Sequence, residues 1–203
     1  MLTAFTASLL LITVSELGDK TFFIAVILAM HHSRRLIFFG VLAALAAMTI
    51  LSVIAGQALA LIPKIYIHYI EIVLFIGFGI KLLYEGSRMP ADSCATEVVQ
   101  EAKSAVAEAE LELSRKNNIA VLIKAFMMTF VAEWGDRTQI ATIALATSYS
   151  PMAVTTGSIL GHAICTAIAV IGGRMLAGKI SERTLTLVGG CLFLIFGGVV
   201  AVE

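Results

Sequence analysis

Two short polar stretches interrupt an otherwise apolar sequence, and both carry carboxylates at the same spacing. The first reads SELGDKTFF and holds Glu16 and Asp19; the second reads AEWGDRTQI and holds Glu133 and Asp136. Each aspartate follows its glutamate by three residues, about one helical turn, so the two side chains of a pair are expected on one helix face. Carboxylates grouped in this way can hold a divalent cation or exchange it for protons.

A basic residue and a hydroxyl follow directly after each aspartate. They are Lys20 and Thr21 in the first motif and Arg137 and Thr138 in the second, where Gln139 comes next. Carboxylate, hydroxyl and amide oxygens form a hard ligand set, which suits Ca²⁺, Mn²⁺ or Mg²⁺ better than zinc or copper. Because Mg²⁺ releases its water shell reluctantly, Mn²⁺ or Ca²⁺ is the expected cation.

The basic residues and the glycines of the motifs each allow two interpretations. As counterions of the glutamates, Lys20 and Arg137 would set the pKa values of those carboxyl groups within the range needed for exchange. As permanent partners of the aspartates, they would only fix the geometry of the site. Gly18 and Gly135 allow either close helix approach or a local break that exposes backbone carbonyls.

The summed charge of the two motifs is consistent with cation exchange. Four carboxylates and two basic side chains leave two negative charges, which one divalent cation or two protons would neutralise. An ionised side chain at the centre of a bilayer costs about 2.5–3.5 kcal/mol, so these groups are expected to face the interior of a helix bundle. The alternative is a salt-bridged structural cluster balanced by protonated carboxyls.

One histidine and three cysteines complete the list of candidate ligands. His162 lies in the later apolar stretch ILGHAICT. It is either a hydrogen-bonded packing residue or a proton acceptor or nitrogen ligand near the site. The cysteines (Cys94, Cys165 and Cys191) are far apart, which argues against a disulfide framework and a zinc site.

The composition places these motifs in a membrane protein. Of the 203 residues, 59% are hydrophobic and 14% are charged, and the mean hydropathy is +0.97, whereas soluble domains are about half apolar and a quarter charged. The formal net charge of zero gives no reason to expect nucleic acid as a partner. A bilayer core needs roughly 20 mostly apolar residues per helix. Six such stretches are predicted: about 3–30, 36–62, 65–84, 119–147, 152–173 and 184–202.

The two halves of the sequence match at a constant offset. A shift of 117 positions carries the first motif onto the second and also places Gly40 on Gly157 and Thr49 on Thr166, which indicates an internal duplication. Because each copy has three spans, the second must enter the membrane from the opposite side. The predicted fold is therefore an all-α integral membrane protein with six transmembrane helices in two inverted-topology repeats. Its predicted parts are 1–86 (first repeat), 87–118 (cytoplasmic linker helix) and 119–203 (second repeat).

The distribution of lysine and arginine predicts the orientation. One set of loops carries nearly all of these residues, and the other set carries Lys64 alone, so the positive-inside rule puts both termini outside and the central loop in the cytoplasm. The central loop has helical periodicity and is expected to be a solvated connector, with a docking or cation-sensing role as the alternative. The basic loop residues are Arg34, Arg35, Arg88, Lys103, Arg115, Lys116, Lys124, Arg174, Lys179 and Arg183.

The motifs ELGDKT and EWGDRTQIATIALA, with GH and GG in the fifth span, resemble a known membrane family. That family is defined by paired E-x-G-D-[KR]-[ST] motifs and has Golgi and chloroplast-envelope members in eukaryotes and manganese exporters in bacteria. The resemblance covers nearly the whole chain outside the central loop. It implies six spans in inverted repeats and exchange of Mn²⁺ or Ca²⁺ for protons. It also implies that the cation is bound by Glu16, Asp19, Glu133 and Asp136, with the other motif residues in supporting roles.

These observations predict a secondary transporter that exports Mn²⁺, and Ca²⁺ as an alternative, from the cytoplasm in exchange for protons by alternating access. The expected setting is a bacterial inner membrane or an internal membrane such as the thylakoid. No enzyme activity and no resident cofactor are expected, and an oligomeric state is left open. Three alternatives remain: a channel without proton coupling, an intramembrane aspartyl protease and a purely structural membrane protein. The glutamate and the basic residue of each motif disfavour the protease, whose dyad has no need of them.

Overall fold

The regular secondary structure of this protein is helical in the computed structural model, which describes residues 2–89, 96–110, 118–176 and 181–202. Four residues named above, Cys94, Arg115, Lys116 and Lys179, lie outside these ranges. The helices are α1 (Leu2–Glu16), α2 (Lys20–His31), α3 (Arg34–Leu59), α4 (Lys64–Arg88), α5 (Thr96–Glu110), α6 (Asn118–Ala132), α7 (Arg137–Ser148), α8 (Pro151–Leu176) and α9 (Glu182–Val202).

Four of these helices, α3, α4, α8 and α9, are long and apolar enough to cross a membrane. The pair α6 and α7 passes the same test as a unit but is bent by 75°, which raises the number of candidate spans in the described residues to five. The helices α1 and α2 are shorter and apolar. The chain is thus an all-helical membrane protein in the ranges described, but the predicted spans 3–30 and 119–147 are each divided into two helices.

Both breaks occur at the glycine of a charged motif. Gly18 and Gly135 have φ angles of 81° and 83°, in the left-handed region that a side chain disfavours. As a result, α1 ends at Glu16 and α2 starts after Asp19. The prediction that the glutamate and aspartate of each motif share one helix face was therefore wrong, because one helix ends and the next begins between them.

The internal duplication extends to the helix boundaries. A shift of 117 positions carries α2 onto α7 and α3 onto α8 without change of length, and it carries α1 and α4 onto α6 and α9 with ends shifted by a few residues. The packing follows the same correspondence. The helix α1 packs against α8 as α6 packs against α3, and α2 packs against α8 as α7 packs against α3. The helices α3 and α8 pack against each other, as do α4 and α9.

Two buried apolar clusters surround the helices that carry the motifs. One includes Phe23 and Leu28 of α2, and the other includes Leu145 of α7 and Phe193 of α9. Large apolar side chains also cover the outside of the bundle, as lipid contact requires. The motif carboxylates are therefore held among helices whose other buried positions are mostly apolar.

The linker helix α5 is docked on the first repeat. Its Ala102 and Val106 are buried in the same cluster as Phe23, and α5 packs against α2. The expectation of a solvated connector was therefore wrong for the apolar face of α5, since that face is covered by α2.

Equivalent glycines permit close helix contacts in the two repeats. A Cβ atom on Gly40 would lie 2.8 Å from the carbonyl oxygen of Leu122 and 3.0 Å from the Cβ of Ala125 in α6. At the matching position of α8, a Cβ on Gly157 would lie 2.5 Å from the carbonyl oxygen of Phe5 in α1. These contacts set the distance between the long helices and the helices that end at the motifs.

The substitution Gly40→Ala is expected to destabilise the protein by about 1–3 kcal/mol, because the added methyl group overlaps backbone that cannot move aside easily. Thermal unfolding in detergent measures the change. Gly77→Ala is the matched control, since a Cβ at Gly77 meets no atom within 4 Å. Equal unfolding temperatures for the two variants would contradict the close approach of α3 and α6.

Candidate cation site

Carboxylates from both motifs converge where the two breaks meet. One oxygen each from Glu16, Asp19 and Glu133 lies within 4.8 Å of the others. Oxygen ligands lie 2.3–2.6 Å from a bound Ca²⁺, so two ligands of one ion are at most about 5 Å apart. Glu16 and Glu133 are buried, whereas Asp19 is partly exposed. The three oxygens are thus close enough to bind one cation together.

Asp136, the fourth predicted ligand, has a different environment. Its Oδ2 accepts hydrogen bonds from the backbone nitrogen of Thr138 at 3.2 Å and from the Thr138 hydroxyl at 3.0 Å, so it caps α7. The matching Asp19 makes no such side-chain hydrogen bond at the start of α2. Capping therefore holds Asp136 outside the three-carboxylate cluster, although it remains close enough to interact electrostatically with Glu16, Asp19 and Glu133.

Four helix ends meet at the cluster because both spans are broken there. The C-terminal ends of α1 and α6 carry the partial negative charge of their helix dipoles, which favours a cation. The N-terminal ends of α2 and α7 carry partial positive charge, which the two motif aspartates at their caps offset. The backbone and the side chains together therefore make the site attractive to a cation.

The two basic residues of the motifs point in different directions. The Lys20 ammonium pairs with Glu101 of α5 at 3.1 Å, an ion pair with the linker helix that the sequence did not predict. The Arg137 Nη2 lies 3.9 Å from Asp19 Oδ1 and donates a hydrogen bond to the carbonyl of Ser15 at 3.4 Å, so it contacts the aspartate of the other motif. With Lys20 paired elsewhere, Arg137 is the motif cation that remains near the four carboxylates.

Two further motif side chains stabilise the site. The Thr21 hydroxyl donates a hydrogen bond to Glu16 Oε2 at 3.3 Å. Gln139 Oε1 accepts a hydrogen bond from the Gly135 backbone nitrogen at 2.7 Å, so this side chain braces the second break. The sequence analysis counted the Gln139 side-chain oxygen among the ligand oxygens, whereas in this structure it accepts the hydrogen bond from Gly135.

His162 lies beside the carboxylate cluster. Its Nδ1 is 3.8 Å from Glu16 Oε1, and both residues are buried. Neither atom has a hydrogen-bond partner in the part of the chain that the structure describes. Buried polar atoms are usually paired, so the position favours a ligand or proton-acceptor role over a packing role.

A cavity of about 410 Å³ leads to the site from one end of the molecule. Asp19, Asp136 and Arg137 line it, together with the last turns of α4, the first turns of α9 and Val98 of α5. Glu16 and Glu133 lie deeper, each beside a small separate cavity. The cavity therefore reaches the partly exposed side of the cluster first.

Besides Thr21 and Thr138, further hydroxyl groups surround the two glutamates, and the sequence analysis did not identify them as part of the site. Thr49, Ser52 and Thr142 share a small cavity with Glu133 and His162. Thr166 and Cys165 lie beside Glu16 in the other small cavity. Hydroxyl residues spaced by one helical turn inside an apolar span, as in Thr49 and Ser52, were the available signal.

A family model described as the divalent cation/proton antiporter GDT1 matches residues 4–90 and 121–203. The chain belongs to this family. The GDT1-like protein sll0615 of Synechocystis sp. is 55% identical over 197 residues, which cover 97% of this chain and 95% of that protein. The GDT1-like protein 5 of Arabidopsis thaliana is 40% identical, with 97% of this chain and 94% of that protein covered. No solved structure gives a significant match.

Membership of the GDT1 family confirms the resemblance seen in the motifs. Relatives occur in a cyanobacterium and in chloroplasts; the latter include the PAM71-homolog protein of Arabidopsis thaliana, 40% identical over 208 residues, which cover 95% of this chain and 57% of that protein. A divalent cation and protons are the substrates that the family description implies. The family is one of transporters, which gives the aspartyl protease alternative no support.

The substitution Gly135→Ala is expected to destabilise the protein by about 1–2 kcal/mol, because an L-residue with a positive φ places its Cβ against the backbone. The stability of Gly135→Asn should lie between those of the wild type and Gly135→Ala, since asparagine tolerates a positive φ better than alanine does. Both are measured by thermal unfolding in detergent. Gly198→Ala is the control, in open space within α9, and should leave the protein as stable or slightly more so. The same unfolding temperature for wild type and Gly135→Ala would exclude a left-handed break.

Proposed function

We propose that this protein is a secondary active antiporter that exports Mn²⁺, with Ca²⁺ as a second substrate, from the cytoplasm in exchange for protons. The observation that carries the proposal is the convergence of oxygens from Glu16, Asp19 and Glu133, two residues of one repeat and one of the other. Groups of this kind hold either a metal ion or protons, which is the requirement for exchange. Asp136 and Arg137 line the cavity that leads to the site, where one adds a negative and the other a positive charge.

The proposal includes six spans in two inverted-topology repeats. Counting α1 with α2, and α6 with α7, as one broken span each gives three spans per repeat. Discontinuous helices that meet at a central site are common in transporters built from inverted repeats. The short helices of each repeat pack on the long helix of the other repeat, which supports this topology. The excess of basic residues in one set of loops supports an orientation with both termini outside.

The proposed cycle begins in a state that faces the cytoplasm. The 410 Å³ cavity lies at the end of the molecule that carries Arg88 and the linker helix α5, the cytoplasmic end by the positive-inside rule. A cation enters there, passes Asp19 and binds the buried glutamates as their protons leave. The repeats then rock about the site, and the cation is released outside as protons return.

The ligand set supports Mn²⁺ as the main substrate. Carboxylates and hydroxyls suit both Mn²⁺ and Ca²⁺, whereas an imidazole nitrogen is a better ligand for a transition metal than for Ca²⁺. His162 lies within reach of Glu16, at 3.8 Å between the nearest polar atoms. Its nitrogen would therefore shift the preference of an oxygen-rich site towards Mn²⁺.

A channel with the same acidic residues is the second candidate. Rapid conduction requires weak or multiple binding sites, whereas several buried carboxylates around one position bind a divalent cation strongly. Buried apolar residues, among them Leu11 and Leu145, lie beyond the glutamates on the side away from the cavity. These features favour alternating access over an open pore.

Uptake of Mn²⁺ into proteoliposomes that contain a pH dye tests the proposal. We expect Mn²⁺ entry to drive protons out with the membrane voltage clamped, and Ca²⁺ to do so less effectively. Entry of Mn²⁺ without proton movement would favour the channel. Absence of any Mn²⁺ flux from the reconstituted wild-type protein would contradict the proposal as a whole.

Charge removal at the central site is expected to abolish the flux. Glu16→Gln removes a buried ligand, and Asp136→Asn removes a charge while keeping a residue that caps helices well. Thr21→Val should reduce the flux by removing the hydrogen bond to Glu16. Thr6→Val is its control, because the exposed Thr6 hydroxyl bonds only the backbone of its own helix. Normal flux in Glu16→Gln would exclude the carboxylate site.

A further inference from the structure

A buried carboxylate on α4 lies outside both motifs. Glu71 is only 3% exposed. The matching position in the second repeat is Val188, so the duplication does not account for this charge. A carboxylate buried within an apolar span is costly unless it is paired or has a function.

Two hydroxyl groups meet the Glu71 carboxylate at the end of α7. The hydroxyls of Thr147 and Ser148, at the end of α7, both contact Glu71 Oε1, the second at 2.6 Å. The Thr147 hydroxyl also lies 2.5 Å from the carbonyl oxygen of Ala144. Each hydroxyl has one proton to donate. Thr147 can therefore satisfy Glu71 or Ala144 but not both.

The local electrostatics favour a cation at this position. The C-terminal end of α7 carries partial negative charge, and the Glu71 carboxylate adds to it. The described residues that line the neighbouring cavity include His68 but no lysine or arginine. A divalent cation would be attracted by this negative charge and could take the clustered carboxylate and hydroxyl oxygens as ligands.

The cavity beside Glu71 has room for a hydrated cation. Its volume is about 290 Å³, and Glu71, Thr147 and Ser148 are among its lining residues. A buried water needs only about 10–15 Å³ of such volume. A cation could therefore bind here with most of its water shell, through one carboxylate and two hydroxyls.

The helix α7 connects this cavity to the central site. Thr138 lies at the central site and Thr147 lies nine residues later on the same helix, about 14 Å away at 1.5 Å per residue. Since α4 runs from Glu71 to the large cavity at its last turns, Glu71 lies on the opposite side of the central site from that cavity. The two cavities therefore occupy the two sides between which a transported cation would move.

We propose that Glu71, Thr147 and Ser148 form a second, weaker binding site for a hydrated divalent cation, on the release side of the central site. This inference rests on the proposed function, because it takes the transported cation as the ligand. The second site receives the ion as the central carboxylates take up protons. A single carboxylate makes it weak enough to let the ion go.

Binding of Mn²⁺ to the purified full-length protein, followed by electron paramagnetic resonance, tests the second site without transport. The double variant Glu16→Gln/Glu133→Gln removes the two buried ligands of the central site but keeps Asp19. The weak Mn²⁺ binding that remains should include the second site. Adding Glu71→Gln should weaken that residual binding about tenfold or more, as expected for loss of a charged ligand. Glutamine keeps an acceptor oxygen for the hydroxyls of Thr147 and Ser148. If Glu71 only held these helices together, Glu71→Gln would therefore leave the residual Mn²⁺ binding unchanged.

Two variants of hydroxyl residues serve as further tests of Mn²⁺ binding. Ser148→Ala should weaken the residual binding by a smaller factor, whereas Thr156→Val, at an exposed hydroxyl of α8, should not weaken it.

In proteoliposomes, Glu71→Gln should raise the KM for Mn²⁺ supplied from the release side and leave the KM for Mn²⁺ supplied from the linker side unchanged. Residual binding that is absent, or that is insensitive to both Glu71→Gln and Ser148→Ala, would overturn the second site. Absence of flux in the wild type with residual binding intact would instead contradict only the antiporter.

Discussion

The structure depends on one constraint: carboxylates must be held in an apolar bundle without facing lipid. The chain meets it by breaking a helix in each repeat at a glycine with positive φ. Each break places a glutamate at the end of one short helix and an aspartate at the start of the next, so that side chains from both repeats reach one position. Small residues elsewhere, such as Gly40 and Gly157, then let the long helices approach and enclose the site.

The two repeats have matching helices, but their equivalent charged side chains have different partners. Asp136 caps its helix through Thr138, whereas Asp19 is available to the carboxylate cluster. Lys20 is held by Glu101 of the linker helix, whereas Arg137 stays beside Asp19. The two motifs therefore place different charges and hydrogen bonds around the carboxylate cluster. The docking of α5 through the Lys20–Glu101 pair also connects the linker directly to the residue that follows Asp19.

The sequence predicts the membrane class, the duplication and the carboxylates, because these depend on hydropathy and on residue types at a fixed offset. It leaves the helix break as one of two alternatives, since a glycine in an apolar span is compatible with either close packing or a local break; the positive φ of both glycines decides for the break. It also misplaces Lys20, because a long side chain near a helix end can turn to whichever partner tertiary packing supplies, here Glu101. The hydroxyls opposite Glu71 are 76 and 77 residues away in the chain, a distance over which spacing arguments give no guidance.

The most direct test of the central claim is the number of protons released when Mn²⁺ binds to the protein in detergent, measured in a weakly buffered solution with a pH indicator. If metal and protons compete for the same carboxylates, Mn²⁺ binding to the wild type will release protons, and the release will disappear in Glu16→Gln/Glu133→Gln. Binding of Mn²⁺ to the wild type without proton release would contradict a shared site for the two ions.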